Sequence, residues 1–377
     1  MKKNYPTSPA RKQSAITNIK AAFTRAENVY KEGWLFHGPR FQCLKDLGTV
    51  GENGIDGILK ATSVPGALLD NVGQLAGCLI IQNLDVDRYA MPIRIARIEF
   101  FSDQPPEGDV ECGVRFDRIR SRDLMFNMEL MYKGQMWARI EGWEKWRFET
   151  DDLLWNFLLS PGKRILSEIN NGNASFLRPQ LSSASCDDLA KRYLREAERD
   201  VYYSLGKKKE SWICGRVAAK DAIRSYLWDK GYAGDIFPAE IFIVNDESGR
   251  PIIREMPGDK KLFLSISHRD GFGIACVSET AEIGIDVELI EPREESFEKI
   301  AFSPKEIEML PKASRSEWIT RWWSAKEAYS KSKGHGLKGD PKNFQITELG
   351  EERIKVEDKW ISSKRIGDYI ISQTEKT

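Results

Sequence analysis

The sequence predicts an α+β protein of two domains. Three observations carry that expectation: the length, a shift in composition part-way along, and a change in the way strand and helix signals alternate. At 377 residues the chain exceeds one ordinary core and fits two domains of typical size. Between Ser160 and Asp188 the sequence turns to N-N-G-N-A-S, R-P-Q and S-S-A-S-C-D-D, a polar composition that reads as a linker. The expected division is therefore a domain at 1–160, a linker at 161–188 and a second domain at 189–377.

In the first domain the elements follow from period. Ile93, Ile95 and Ile98 to Phe100, then Val110, Cys112, Val114 and Phe116, then Phe126, Met128 and Leu130 alternate as strands do. The turn clusters S-D-Q-P-P-E-G-D at 102–109, R-S-R-D at 120–123 and Lys133-Gly134 join them as antiparallel hairpins. One long apolar helix, about Pro65 to Ile81, sits among them, and a single helix against a curled antiparallel sheet is an α+β unit.

After the linker the pattern changes. A helical stretch to about Gly206 and a helix from Ser211 to Lys230 precede strands at Glu240 to Val244, Leu262 to Ser267, Gly273 to Val277 and Ile283 to Leu289. Helices follow at Ser303 to Leu310 and Glu317 to Lys333, the first with Ser303 as N-cap and Pro304 at its first position.

Bulk composition excludes several classes. Charged residues at 30% and hydrophobic ones at 41% are those of a globular protein. Fifty-seven basic side chains balance 57 acidic ones, so no nucleic-acid partner is expected and any anion site must be a local cluster. The apolar run from Ala67 to Ile81 is broken by Asp70, Asn71 and Gln74 and falls short of the roughly 20 residues of a membrane span. Six scattered cysteines without a C-x-x-C pair, and an opening M-K-K-N-Y-P-T-S-P-A-R-K-Q that leads into no apolar signal core, give a reduced cytoplasmic setting as the expectation.

The chemistry concentrates in the second domain. In E-I-G-I-D-V-E-L, Glu282 to Leu289, a strand puts Ile283, Ile285, Val287 and Leu289 on one face and leaves Asp286 and Glu288 side by side on the other. Two such carboxylates repel unless a cation sits between them; an edge strand with solvated acids explains the segment equally well. On the helix R-W-W-S-A-K-E-A-Y-S-K, Trp323, Glu327 and Lys331 recur at i, i+4 and share a face, which is also how a routine Glu–Lys helix pair looks. A third carboxylate beside two from a strand is the oxygen-rich set a hard divalent cation takes, with positions left for water and substrate phosphate. For the anion, Arg216, Lys220 and Arg224 form a basic stripe opposite Ile213, Val217 and Leu227. Ser267 and His268 end a strand at a turn, and Gly249-Arg250-Pro251 adds a basic turn. A solvated helix face and a loop histidine remain the plain alternatives.

Taken in order, G-R-P at 249–251, S-I-S-H at 265–268, G-I-D-V-E at 284–288 and W-S-A-K-E-A-Y-S-K at 323–331 resemble the motifs of phosphopantetheinyl transferases, of the longer kind in which two similar α/β halves share one polypeptide. The resemblance covers roughly Asp188 to Phe344. It implies a pseudo-twofold α/β fold and a magnesium-dependent enzyme of the holo-acyl-carrier-protein synthase type. Such an enzyme takes coenzyme A as substrate and moves its 4'-phosphopantetheine arm to a serine of an acyl carrier protein. It further implies Asp286, Glu288 and Glu327 as metal ligands, with Glu327 and Lys331 as the catalytic residues and Lys331 against the phosphates. Arg216 and Lys220 would hold the 3'-phosphate, Ser267 and His268 a further phosphate, and Arg250 a weaker contact.

In the first domain, W-L-F-H-G-P-R-F-Q at 34–42, V-P-G-A-L-L-D-N-V-G-Q at 64–74 and M-P-I-R-I-A-R-I at 91–98 resemble the second hotdog of a polyketide-synthase dehydratase. The resemblance implies a hotdog-like domain in which Asp70, with Gln74 one turn on, is the acid that works opposite a histidine from a first hotdog. This chain has no such hotdog, and of its three histidines, His37, His268 and His335, His37 matches the F-H-G-P segment and not that base. Asp70 is then a relic in a scaffold, or a polyketide or fatty-acid synthase partner supplies the missing half. The alternative function is accordingly a subunit of a split dehydratase or a non-catalytic assembly module of a polyketide synthase, and pairing of two copies into a homodimer is a further expectation.

Overall fold

The computed structural model describes residues 5–178, 182–279, 283–334, 336–337 and 340–375. Glu282 and His335 lie outside the described residues. The chain forms two compact units, Met1–Ser160 and Pro161–Thr377.

The first unit runs α1 (Ala26–Lys31), β1 (Leu44–Asp46), β2 (Gly54–Ala61), α2 (Ala67–Asn83), β3 (Ala90–Phe100), β4 (Gly108–Ile119), β5 (Asp123–Tyr132), β6 (Gln135–Arg147) and α3 (Asp152–Leu159). Its strands make one antiparallel sheet in the order β1-β2-β4-β5-β6-β3, with α2 packed on it in the manner of a hotdog. Val72, Leu75 and Leu79 of α2 are fully buried against Val110, Val114, Phe126, Met128 and Ile140, and each such side chain contributes about 1.5–3 kcal/mol by leaving water. Lys133 and Gly134 both adopt positive φ, 50° and 77°, the geometry of a two-residue turn that matches strand twist.

The second unit runs β7 (Glu168–Asn170), β8 (Asn173–Leu177), α4 (Ser183–Tyr193), α5 (Glu196–Ser204), α6 (Lys209–Asp229), β9 (Phe242–Asn245), β10 (Pro251–Glu255), β11 (Phe263–Arg269), β12 (Phe272–Ser278) and β13 (Ile285–Leu289). It continues with α7 (Glu295–Ala301), α8 (Pro304–Met309), α9 (Arg315–Ser332), β14 (Ile346–Leu349), β15 (Arg353–Val356), β16 (Lys359–Ile366) and β17 (Tyr369–Thr374). The two halves repeat one design. In the first, α6 lies over the sheet β11-β12-β8-β7; in the second, α9 lies over β13-β17-β16-β15-β14. A glycine admits each helix: a Cβ at Gly273 of β12 would fall 2.1 Å from the backbone of Cys214 in α6, and one at Gly284 would fall 1.8 Å from the carbonyl oxygen of Ala328 in α9. Ser303 caps α8 through a capping box with Glu306, and Pro304 takes the first helical position, as the sequence indicates.

The polar run at 161–188 is not a linker. β8 pairs with β12, burying Ala174 and Phe176 while its polar residues alternate outward. Buried Asp221 of α6 accepts from the backbone N–H groups of Leu166 and Ser167 and from the Ser167 hydroxyl, which fixes the start of the unit. Short apolar positions spread among polar ones hid this strand. The six cysteines are buried, and among the described residues no helix is long and apolar enough to cross a membrane.

Candidate active site in the second unit

The two halves meet where β11 runs beside β13, and the candidate residues gather there. Asp286 is 3% exposed, so the picture of an edge strand with solvated acids does not hold at this position. Its Oδ1 accepts from Lys331 Nζ at 2.7 Å and from the Ser267 hydroxyl at 2.9 Å; Lys331 also donates to Ser267 Oγ at 3.0 Å. The other carboxylate oxygen, Oδ2, is buried without a hydrogen-bond partner. Glu288 accepts from Trp323 Nε1 at 3.3 Å and from Arg293 Nη2 at 3.1 Å. Glu327 stands one turn before Lys331 on α9, and its carboxylate takes no hydrogen bond among the described residues. Burial first, and then the Asp286 carboxylate, push Glu327 up to about 7 against the pull of Lys331, with Glu288 adding to the rise. Burial and Asp286 raise Glu288 as well.

Among the described residues, no three carboxylate, histidine or cysteine side chains converge closely enough to hold a metal ion as they stand. Like charges are kept apart and covered by Lys331, Arg293 and Trp323 instead. The donor set still fits a hard divalent cation on two observations: an orphaned, buried Asp286 oxygen, and a half-buried Glu327 carboxyl, raised first by desolvation and then by Asp286, which a dication would ionise.

The basic stripe on α6 divides. Lys220 is fully buried, donating to Glu198 at 2.7 Å and to the Tyr193 carbonyl at 2.6 Å. Arg224 is equally buried, bound to Asp221 and to the carbonyls of Ile236 and Pro161. Neither forms a solvated face, and the phosphate role expected of Lys220 is overturned because its ammonium is spent on a structural pair inside the unit. Helical period alone gives no sign of this, since α6 is buried on almost every side.

Arg216 alone of the three faces a pocket of about 170 Å³, with Trp212, Asn245, Gly249, Ile266 and His268 on its walls. Its guanidinium stacks 4.6 Å from the Trp212 ring and donates to Asn245 Oδ1 at 3.0 Å, while Nε and Nη1 are buried without partners. Burial lowers it to about 10, still a cation at neutral pH. His268 meets the Ser211 hydroxyl at 3.0 Å. Its outer edge is exposed, but the ring lies against Gly215 of α6; this packing, with the charges of Lys331 and Arg216, holds the imidazole down to about 4 and so neutral. A buried, underused guanidinium beside a neutral histidine suits a phosphate. Arg250 lies away from these walls, its guanidinium beside Gly334 and 5.9 Å from the Phe263 ring. Trp212 was detectable from the sequence, one turn before Arg216; Asn245 and Arg293 carry no sequence signal.

In the first unit, the Gln74 amide donates to Asp70 Oδ2 at 2.6 Å, and Tyr30 donates to Gln74 at 2.7 Å. His37 Nε2 stands 3.5 Å from the same Asp70 oxygen, a neighbour the sequence did not foretell. Lys145 is buried nearby and donates to the Gly73 carbonyl.

Comparison with known proteins places the second unit in a family. A model of the 4'-phosphopantetheinyl transferase superfamily matches residues 282–374. The 4'-phosphopantetheinyl transferase HetI of Nostoc sp. is 32% identical over 125 residues, 32% of this chain and 52% of that protein, so the chain spans about half the length of that relative. A 4'-phosphopantetheinyl transferase of Bacillus subtilis is 30% identical over 44% of this chain and 77% of its own. Among solved structures, an isomerase-inactive variant of GphF DH1 has a TM-score of 0.32 at 18% identity, covering 40% of this chain and 55% of that one; the dehydratase domain of RzxB from Pseudomonas fluorescens scores 0.29 at 16%, covering 35% and 53%. At those scores they support nothing further about the first unit. A holo-[acyl-carrier-protein] synthase of Geobacillus sp. is 33% identical over 23% of this chain and 72% of its own length, and with these relatives the chain belongs to the 4'-phosphopantetheinyl transferase superfamily.

Proposed function

We propose that the second unit transfers the 4'-phosphopantetheine arm of coenzyme A to a serine of an acyl carrier protein, with magnesium held by Asp286, Glu327 and Glu288. The observation that carries this reading is the placement of buried Asp286 and half-buried Glu288 and Glu327 around Lys331 at the seam between the halves, with one Asp286 oxygen unpartnered, beside a pocket whose Arg216 has two unpartnered N–H groups. Bound there, the cation would neutralise the pyrophosphate of coenzyme A and the charge that grows on the leaving oxygen.

The chain's own residues supply the rest. Arg216 anchors a terminal phosphate by charge-assisted hydrogen bonds, and His268, neutral, donates or accepts beside it. Glu327, ionised beside the cation, accepts the proton of the attacking serine hydroxyl. The serine oxygen bonds to the β-phosphorus, the P–O bond to the adenosine bisphosphate breaks, and Lys331 steadies the departing phosphate. Six scattered cysteines without a C-x-x-C pair support a reducing cytoplasmic setting.

For the first unit the companion reading is a dehydratase-derived module of polyketide or fatty-acid assembly, acting as part of a split dehydratase or as a scaffold. The contact of His37 with Asp70 favours a retained proton-handling site over a bare scaffold. Pairing of two copies is supported by β3, an edge strand that leaves Ile93 58% and Phe100 42% exposed.

The test is intact-mass spectrometry of apo carrier proteins incubated with the chain, coenzyme A and magnesium, with an EDTA control. One phosphopantetheine added, and lost with EDTA, supports the transferase; no addition to any carrier overturns it.

A further inference from the structure

We infer that Ser267, with Ser265 beside it, is a positioning residue that holds Asp286 in place across the seam between the two halves, and not a contact to phosphate. The inference rests on the reading of Asp286 as a metal ligand.

The segment S-I-S-H lies on β11, where successive side chains point to opposite faces. Ile266 and His268 point one way and line the anion pocket with Arg216. Ser265 and Ser267 point the other way, toward β13, and are 4% and 7% exposed. β11 and β13 belong to different sheets, and hydroxyls join them. Ser265 Oγ accepts from the backbone N–H of Ile285 at 3.0 Å, and Ser267 Oγ donates to Asp286 Oδ1 at 2.9 Å.

Ser267 also accepts from Lys331 Nζ, so its one proton is committed to Asp286 and one lone pair to α9. Both Asp286 contacts fall on Oδ1, which turns the unpartnered Oδ2 into the oxygen free for a cation. A hydroxyl that orients one oxygen of a ligating carboxylate while leaving the other open acts as groups behind metal ligands do, where losing them costs about 10–100-fold in metal affinity. By period alone, the strand that shapes the phosphate pocket with its even-numbered residues places the metal carboxylate with its odd-numbered ones.

The test uses the full chain and manganese as a spectroscopic probe. Mn²⁺ binding is followed by electron paramagnetic resonance for wild type, Ser267→Ala and Ser267→Thr, and coenzyme A binding is measured by calorimetry in EDTA. Ser267→Ala is expected to weaken Mn²⁺ binding at least about tenfold, Ser267→Thr to restore most of it, and coenzyme A affinity in EDTA to stay as in wild type. Unchanged Mn²⁺ affinity in Ser267→Ala overturns the inference, most plainly if coenzyme A affinity falls instead, as a phosphate contact requires. Wild-type protein that binds no Mn²⁺ overturns the metal reading itself. Should Ser267→Ala fail to fold, Ser265→Ala carries the test, with weaker Mn²⁺ binding at unchanged coenzyme A affinity expected and wild-type Mn²⁺ affinity overturning the inference.

Discussion

Lys331 Nζ lies 2.7 Å from Asp286 Oδ1, joining α9 to β13, the strand of its own half that faces the seam, and Glu327 lies one turn before it with its carboxyl pushed up to about 7. Glu327→Gln keeps the shape and removes both the charge and the proton acceptor. It is expected to lower the rate of transfer at least about 100-fold while leaving the circular-dichroism spectrum and the unfolding midpoint at or above those of wild type, because a neutral amide replaces an acid whose ionised form burial disfavours. Near-native turnover by the purified variant would remove Glu327 from the site.

Arg216 and Lys220 share a helix face and are expected to fail in different ways. Lys220→Ala leaves Glu198 buried without its cation, a loss of about 3–5 kcal/mol in stability. Arg216→Ala should instead cost about 1.5–3 kcal/mol of coenzyme A binding, roughly tenfold or more, with little change in stability. Urea unfolding and calorimetry separate the two; a stable Lys220→Ala protein with impaired binding would reverse the roles.

How far the sequence reaches is visible in these same residues. The motif order located Asp286, Glu288, Glu327 and Lys331, because a strand's period of two and a helix's i, i+4 spacing are local properties. Burial is not local. Arg216, Lys220 and Arg224 have identical spacing, and only tertiary packing sorts the pocket cation from the two structural ones. The Lys133-Gly134 turn implies β6, but its pattern is not a clean alternation, because Gly142, at φ 64°, bulges the strand between Ile140 and Trp143. β8 and β14 to β17 were missed for a related reason: short strands with few apolar residues owe their place to partners far away in sequence.

Gly284 opens the G-I-D-V-E motif for a steric reason. An added Cβ would meet the Ala328 carbonyl at 1.8 Å and Ser332 N at 2.8 Å, both backbone atoms of α9 that cannot swing aside. Gly284→Ala is expected to destabilise the second unit by about 1–3 kcal/mol and to lower transfer as α9, with Glu327 and Lys331, is pushed from β13. Hydrogen exchange on α9 peptides reads the displacement; an unchanged exchange pattern with normal transfer would show that the helix can shift without cost.

Asp70→Asn tests whether the units depend on each other in catalysis. Asp70 is bonded within the first unit, to Gln74 and beside His37, and none of its contacts belongs to the transferase site. Carrier modification is expected to proceed at the wild-type rate. A slower rate in a protein with an unchanged unfolding curve would reveal coupling between the units.

Lys145 gives the first unit a pH dependence whose sign is fixed by its environment. It is 4% exposed, its ammonium donates to the Gly73 carbonyl, and burial lowers it to about 8. In the unfolded chain the same group keeps its proton to its ordinary value of 10.5. Below pH 8 both states are charged and the fold bears the cost of a buried ammonium; between 8 and 10.5 the folded state has released its proton and the unfolded state has not, so stability rises with pH across that window, by on the order of 3 kcal/mol. Lys145→Met removes the titrating group. The stability difference between wild type and variant, followed by hydrogen exchange on α2 and β6 peptides from pH 7 to 10, should move toward wild type as pH rises. A difference that stays flat would mean that Lys145 is neutral already at pH 7, or that water reaches its ammonium inside the unit.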